Sequence, residues 1–373
     1  MSKTLGIGIL GCGNISAAYM RLSPLFKGIE VRACADINEA AAKARAEEFG
    51  LRAETVDGLL GASGIDIIVN LTVPAVHYEV SRRVLEAGKH VYSEKPFVLS
   101  LEEGESLAAI AKEKGLRVGS APDTFLGGAH QLARHLIDSD AIGKVTSGTC
   151  FVQSPGMEMW HPNPDFFFQA GGGPILDLGP YYVSNLVQLL GPVKRVCAMS
   201  SAGSEYRTIT SEPRNGEKIK VETPTTIHAV MQFQSGAQIT YCASWDVWQH
   251  SHSNMELYGR SGTLHVPDPN FFGGEVRMTD KGSFVTLSEA WNHPFSKSND
   301  RGHANYRTAG LADMALAILE NRPHRCSLEF ALHVVDVMTS ILASGESGTF
   351  IDIKTTCERP EPLDPQAAKG LLV

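Results

Sequence analysis

The chain has 373 residues, 43% of them hydrophobic and 20% charged, with a formal net charge of −8 at neutral pH. That is enough for a full core in two or three domains at ~150 residues each. An acidic balance without any Lys/Arg run argues against nucleic acid or an anionic membrane surface as the main partner, and no apolar stretch approaches the ~18 residues of a membrane span. The N-terminus enters a strand directly, without a signal peptide, so the expectation is a cytoplasmic protein. Cys12, Cys34, Cys150, Cys197, Cys242, Cys326 and Cys357 are odd in number and scattered. They read as thiols in a reducing compartment, not as a disulfide framework or a zinc cage.

The chain opens with LGIGILGCGNIS, residues 5–16. An apolar run meets Gly11-Cys12-Gly13-Asn14-Ile15-Ser16, which reads G-x-G-x-x-S where a dinucleotide-binding loop reads G-x-G-x-x-G. Alone this motif also fits a simple glycine turn. Its context favours a cofactor loop, since it follows a buried strand and opens an amphipathic helix with Ile15, Ala18, Tyr19 and Leu22 on one face. Gly11 would make the tight turn and Gly13 would let backbone N–H groups approach a pyrophosphate. Asn14 and Ile15 follow at the helix N-terminus as further cofactor contacts. Ser16 in place of the third glycine costs packing distance more than phosphate binding. The second strand, IEVRACAD, ends in Asp36, at the spacing where a carboxylate reaches ribose hydroxyls. With no Arg in the following Ile37-Asn38-Glu39 to neutralise a 2′-phosphate, NAD is favoured over NADP; the bland alternative is that Asp36 caps the next helix.

Further along, IDIIVNLTV is followed by Thr72-Val73-Pro74 and His77, and HVYSE by Glu94-Lys95-Pro96. The latter stands at the C-terminal end of a strand, where doubly wound sheets hold ligands. Neighbouring strand side chains face opposite ways, so Glu94 is expected to anchor the strand and not to pair with Lys95. Pro96 keeps Lys95 out of the helical region and makes a cis bond possible. Ser100 and Glu103 form a capping box. Strands alternating with helices predict a parallel sheet covered on both faces.

The rhythm changes near residue 123. After a helix over 128–138, the pairs TTIHAVMQF with AQITYCASW and MELYG with GTLHV predict hairpins in a mainly antiparallel sheet. Two helices close the chain, carrying Leu311/Met314/Ala315/Ile318 and Ala331/Val334/Val335/Met338. The fold class is therefore α/β followed by α+β, divided as 1–123 and 124–373. His250 and His252 have a metal-like spacing, but without a Cys or carboxylate cluster they read as surface residues and no metal is expected.

Together with GGGPILDLG at 171–179, these motifs occur in the order found in the glucose-fructose oxidoreductase, inositol dehydrogenase and MocA family, which the chain resembles over nearly its whole length. The resemblance implies a Rossmann domain that carries NAD(P) and an open-faced C-terminal sheet that binds substrate and forms a homodimer or homotetramer. It adds Thr72, Pro74, His77, Glu94 and Lys95 to the cofactor contacts. It makes Lys95 the acid/base: a free lysine titrates near ~10.4, and desolvation beside a cationic nicotinamide would bring that down. The family pattern G-G-G-x-x-x-D-x-G-x-H gives Asp177 here but Tyr181 in the His position, as in some members. Asp177 would then anchor a substrate hydroxyl and Tyr181 donate or relay a proton, with Tyr182 next to it and Pro180 expected to kink their helix. Trp160, His161 and Asn163, in the loop GMEMWHPNPDFFFQAGGG, suit a hydroxylated ring. Trp245, Asn292 and His293 are weaker candidates. The function implied is an NAD-dependent dehydrogenase of a sugar, cyclitol or related polyol. The alternatives are an NAD-dependent glycosidase working by transient oxidation, and a non-catalytic nucleotide-binding protein.

Overall fold

In the computed structural model, residues 4–280, 282–287, 291–300 and 302–373 are described. The first elements alternate: β1 (Leu5–Leu10), α1 (Asn14–Leu22), β2 (Ile29–Ala35), α2 (Glu39–Phe49), β3 (Arg52–Glu54), α3 (Val56–Gly61), β4 (Ile67–Asn70), α4 (His77–Glu86), β5 (His90–Ser93), α5 (Leu101–Lys114) and β6 (Val118–Ser120). After α6 (Gly128–Asp138) come β7 (Val145–Gln153), α7 (Asp165–Phe168), α8 (Gly173–Asp177) and α9 (Gly179–Leu190). The strands β8 (Val193–Ser201), β9 (Tyr206–Thr208), β10 (Lys218–Lys220), β11 (Thr226–Phe233), β12 (Gln238–Ser244), β13 (Met255–Gly259), β14 (Thr263–Val266), β15 (Arg277–Asp280) and β16 (Ser283–Thr286) follow. The chain ends in α10 (Ala309–Glu320), α11 (Leu328–Ser347), β17 (Ile351–Asp352) and α12 (Pro365–Leu371).

Two compact units result. One contains Met1–Gly127, His293–Leu332 and Pro360–Val373; the other contains Gly128–Asn292 and His333–Arg359. Two returning segments thus fold with the N-terminal unit, an exchange that the contiguous division at 123/124 did not foresee. Apolar periodicity reports which face of an element is buried, not which neighbour buries it.

The first unit holds a six-stranded sheet of order β3-β2-β1-β4-β5-β6, parallel throughout. The order reverses between β1 and β4, which makes the C-terminal ends of those strands the place for a ligand. Ile7, Ile9, Ile67, Ile68 and Val69 have no exposure, as expected of strands covered on both faces. The capping signal holds in its first half: Ser100 Oγ accepts the Glu103 amide at 3.2 Å, while Glu103 Oε2 reaches past the cap to accept the Leu99 amide at 3.0 Å instead of that of Ser100.

The second unit holds a nine-stranded sheet of order β16-β15-β14-β13-β7-β12-β11-β8-β17. Its pairs are antiparallel except β12 with β7. Along β11 the side chains alternate, with Ile227, Ala229, Met231 and Phe233 buried and His228 and Val230 exposed. α9 and α11 pack on the buried side: Asn185 reaches Met255 Sδ at 4.0 Å, and Ser344 Oγ accepts the Ala198 amide at 2.8 Å. Among the described residues, α11 is the one helix long and apolar enough to cross a membrane, by length and composition only. The sequence reading had found no such stretch. Half of the apolar window of α11 is buried within the protein, which is the behaviour of a core helix.

Candidate active site

In the first unit, the loops at the C-terminal ends of β1, β2, β4 and β5 carry the expected residues. Gly11 has φ +103°, and a Cβ there would lie 2.7 Å from the Leu71 carbonyl carbon and oxygen, so only glycine fits. Gly13, the N-cap of α1, differs: a Cβ would meet nothing within 4 Å. The second glycine therefore opens space in front of a helix N-terminus, where the first amides, Asn14 and Ile15, have no intrahelical acceptor. That fits a diphosphate. Ser16 does more than substitute for a glycine. It is fully buried, and its Oγ donates to the Gly13 carbonyl at 2.6 Å, tying the loop to the helix it opens.

Asp36 accepts the Cys12 amide at 2.7 Å on one oxygen and the Asn38 amide at 2.8 Å on the other. It locks the glycine loop to the end of β2. The cap of α2 is Asn38, whose side chain accepts from the Ala40 and Ala41 amides, so the capping role belongs to Asn38 and not to Asp36. A neighbour that sequence reasoning missed is Arg45 on α2, whose Nη2 donates to the Gly13 carbonyl at 3.4 Å. The local pattern around Arg45 carries no signal that aims its side chain at another loop.

His77 is buried, with Nδ1 2.7 Å from the Pro96 carbonyl and Nε2 2.9 Å from the Thr72 carbonyl. Burial lowers its pKa against these two bonds. Its polar atoms are spent on the two loops, so it acts as a strut between them and not as an exposed contact. Thr72 donates to Asn70 Oδ1 at 2.6 Å. Val73, beside Pro74, is 64% exposed, and Ile37, beside Asp36, is 95% exposed. These are exposed aliphatic side chains at strand ends, another feature the sequence reading passed over.

The Lys95–Pro96 bond is cis. Glu94 anchors the turn, as expected from strand alternation. Its Oε2 accepts the Lys95 amide at 3.0 Å, and its Oε1 accepts from Tyr19 Oη at 3.0 Å and from Arg307 Nη1 at 2.8 Å. Burial pushes this carboxyl up, but Arg307, Lys95, the Lys95 amide and the Tyr19 hydroxyl outweigh it and hold Glu94 below its ordinary value.

In the second unit, Asp177 and Tyr181 do not share a helix. α8 ends at Asp177, Leu178 joins the two segments, and α9 begins at Gly179 with Pro180 in its first turn. The expected kink is a break, because Pro180 has no amide to continue the ladder and is favoured in a helix's first turn. Tyr182 Oη donates to Asp268 Oδ1 at 2.9 Å and accepts from Asn254 Nδ2 at 3.0 Å, so its hydroxyl is committed to this unit's interior. Tyr181 is 5% exposed.

The loop with Trp160 and His161 rests on a buried cluster of Met157, Phe167, Phe168, Ile209, Ile219 and Trp245. The Glu158 carbonyl accepts the Thr210 and Ser211 amides, and Ser211 Oγ donates to the His161 carbonyl at 2.6 Å, so the β9–β10 ribbon clamps the loop from below. Trp160 is 62% exposed, whereas Trp245 is fully buried, which moves Trp245 from substrate candidate to core. His293, in the first unit, is buried; its Nδ1 accepts the Phe295 amide and its Nε2 lies 2.9 Å from the Leu363 carbonyl, a structural role. Asn292 is exposed, and Asn163 donates its amide to His161 Nδ1 at 3.1 Å. His252 stacks on Phe151 with ring centroids 4.0 Å apart, and among the described residues no three His, Cys, Asp or Glu side chains cluster as metal ligands.

Two family models match in this order: an oxidoreductase family with an NAD-binding Rossmann fold over residues 5–121, and the GFO/IDH/MocA C-terminal domain over 130–265. The chain belongs to this family. It is an oxidoreductase. It is 31% identical to a dTDP-3,4-didehydro-2,6-dideoxy-alpha-D-glucose 3-reductase of Saccharopolyspora spinosa, over 77% of this chain and 83% of the relative. It is 26% identical to a D-xylose dehydrogenase of Paenarthrobacter nicotinovorans, over 90% and 87%. Its fold matches that of a levoglucosan dehydrogenase solved with NADH and L-sorbose, with a TM-score of 0.80 and 21% identity, over 95% of this chain and all of the other.

Proposed function

We propose that this oxidoreductase is an NAD-dependent dehydrogenase that moves a hydride between a secondary alcohol of a sugar, cyclitol or related polyol and nicotinamide. The observation that carries this reading is Glu94-Lys95-Pro96 at the end of β5, with the Lys95 backbone pinned by a buried carboxylate. The sugar substrates in the names of the relatives support the substrate class.

Gly11, Gly13, Asn14, Ile15 and Asp36 would hold the dinucleotide, with Thr72 and Pro74 further along the strand ends. NAD suits Asp36 because a carboxylate already facing two amides repels a 2′-phosphate. The bound cofactor supplies the hydride acceptor. Lys95 takes the proton from the alcohol as the alkoxide develops, Asp177 accepts a bond from a neighbouring substrate hydroxyl, and Tyr181 donates to or relays from the reacting oxygen. The commitment of the Tyr182 hydroxyl to Asp268 and Asn254 removes Tyr182 from that role. Trp160 would offer an aromatic face to sugar C–H groups and His161 a polar edge. The open face of the nine-stranded sheet, with Met199 79% and Val230 45% exposed, supports assembly with second copies of this chain. Light scattering of the native chain and of Met199→Glu tests that assembly.

Lys95→Ala tests the chemistry. Turnover on a sugar and polyol panel should fall by ~10²- to 10⁴-fold, while NADH fluorescence on binding persists. Lys95→Arg should rescue little, since a guanidinium does not give up its proton. Near-native turnover by Lys95→Ala would remove the mechanism.

A further inference from the structure

The buried pair Glu94–Arg307 lies outside every motif the sequence offers. Arg307 stands 213 residues along the chain from Glu94, in the returning segment just before α10. The side chains of both are largely buried, 16% and 9% exposed. The Glu94 carboxylate faces Tyr19 from α1, Arg307, and the backbone and charge of Lys95. The other titratable groups of this unit that feel the cluster are His77 of α4, Tyr92 of β5 and Asp123 beyond β6.

A buried anion one residue from an acid/base lysine is an electrostatic problem. An opposite charge nearby favours the charged form, so an uncompensated Glu94 would hold the proton on Lys95. A guanidinium cannot be deprotonated at any working pH and so offers a permanent compensating charge. We propose that Arg307 is a positioning residue for Lys95: it neutralises the carboxylate that pins the Lys95 backbone, so that Glu94 fixes the turn without trapping the amine in its charged form. This rests on the acid/base reading of Lys95. Glu94 gives the geometry, Arg307 cancels its charge, and Tyr19 adds a hydrogen bond without changing the charge balance. The pair can serve the site only because the returning segment folds with the Rossmann unit.

The test reads the proton on Lys95 without needing a substrate. Trace labelling of the full-length protein with acetic anhydride over a range of pH, followed by peptide mass spectrometry, gives the titration midpoint of each lysine. Arg307→Gln should move the Lys95 midpoint upward by about one unit, a tenfold loss of free amine at a given lower pH. Glu94→Gln should move it downward by a similar amount, and Arg307→Lys should leave it near the native value. Tyr19→Phe should not move it appreciably. Should Arg307→Gln not fold, the double variant Glu94→Gln/Arg307→Gln replaces a charge pair by a neutral one, and its midpoint should lie about one unit above that of Glu94→Gln alone. An unchanged midpoint in Arg307→Gln, or a double variant whose midpoint stays at that of Glu94→Gln alone, overturns the proposal, as does an Arg307→Lys shift as large as that of Arg307→Gln. A Lys95→Ala protein with native turnover would instead overturn the dehydrogenase mechanism, so the two failures are distinguishable.

Discussion

The two halves of the proposed chemistry are built differently. In the first unit every cofactor candidate sits within a few residues of a parallel strand's C-terminal end, and the glycine loop is held by local bonds: Ser16 to Gly13, and Cys12 to the end of the next strand through Asp36. In the second unit the Trp160–His161 loop is held by a ribbon some fifty residues further on, and Asp177 and Tyr181 stand on opposite sides of a helix break. The first arrangement follows from strand, turn and helix in immediate succession. The second depends on which distant segment comes to lie beneath a loop.

The contrast can be broken most directly at the two glycines. Gly11→Ala places a side chain at φ +103° against the Leu71 carbonyl. Such strain costs about 1–3 kcal/mol before the clash is counted, so urea denaturation should show a clear loss of stability and NADH titration a loss of binding. Gly13→Ala, with open space around the new Cβ, should keep the stability and lose NADH affinity alone. If the two variants behave alike, the division between a structural and a cofactor glycine fails.

The adjacent tyrosines test the second unit. Tyr182→Phe strands Asp268 and Asn254, and should lower stability by about 1–3 kcal/mol in thermal melts. Tyr181→Phe should instead lower turnover on the sugar panel with little change in NADH affinity. The reverse pattern would shift the assignment by one residue across Pro180.

A smaller effect is expected at Asp36. Asp36→Ser should narrow the gap between NADH and NADPH affinities by removing the repulsive charge; tighter NADPH binding by the native protein would refute the cofactor choice. The smallest concerns Asp123, whose carboxyl is pushed up to about 6 by burial, against the pull of Arg307 and of the Gly310 and Thr308 amides. A raised carboxyl contributes stability that is fully present below its ordinary range and is lost as pH rises through about 6. Both amides bond the same oxygen, Oδ2, at 3.0 Å, so the amide oxygen of Asn can replace it. Asp123→Asn should therefore flatten the stability–pH curve across that window and be no less stable at neutral pH. A curve unchanged in shape would show that another group titrates there.

The sequence by itself determined the parallel sheet, the glycine loop with its carboxylate, the Ser100 cap of α5 and the position of Glu94-Lys95-Pro96 at a strand end. Each of these is written in residues adjacent along the chain, through backbone conformations that few side chains permit, and through the alternation of buried and exposed positions. Only the tertiary structure decided that residues 293–332 and 360–373 return to the first unit, that Arg307 meets Glu94, that Arg45 reaches the glycine loop, and that Trp245 is core while Trp160 is exposed. The physical reason is that a long cationic or aromatic side chain satisfies the same local pattern whether it faces solvent, an ion partner or a core. Its partner is chosen by burial and charge summed over segments distant in sequence, for which the local pattern carries no signal.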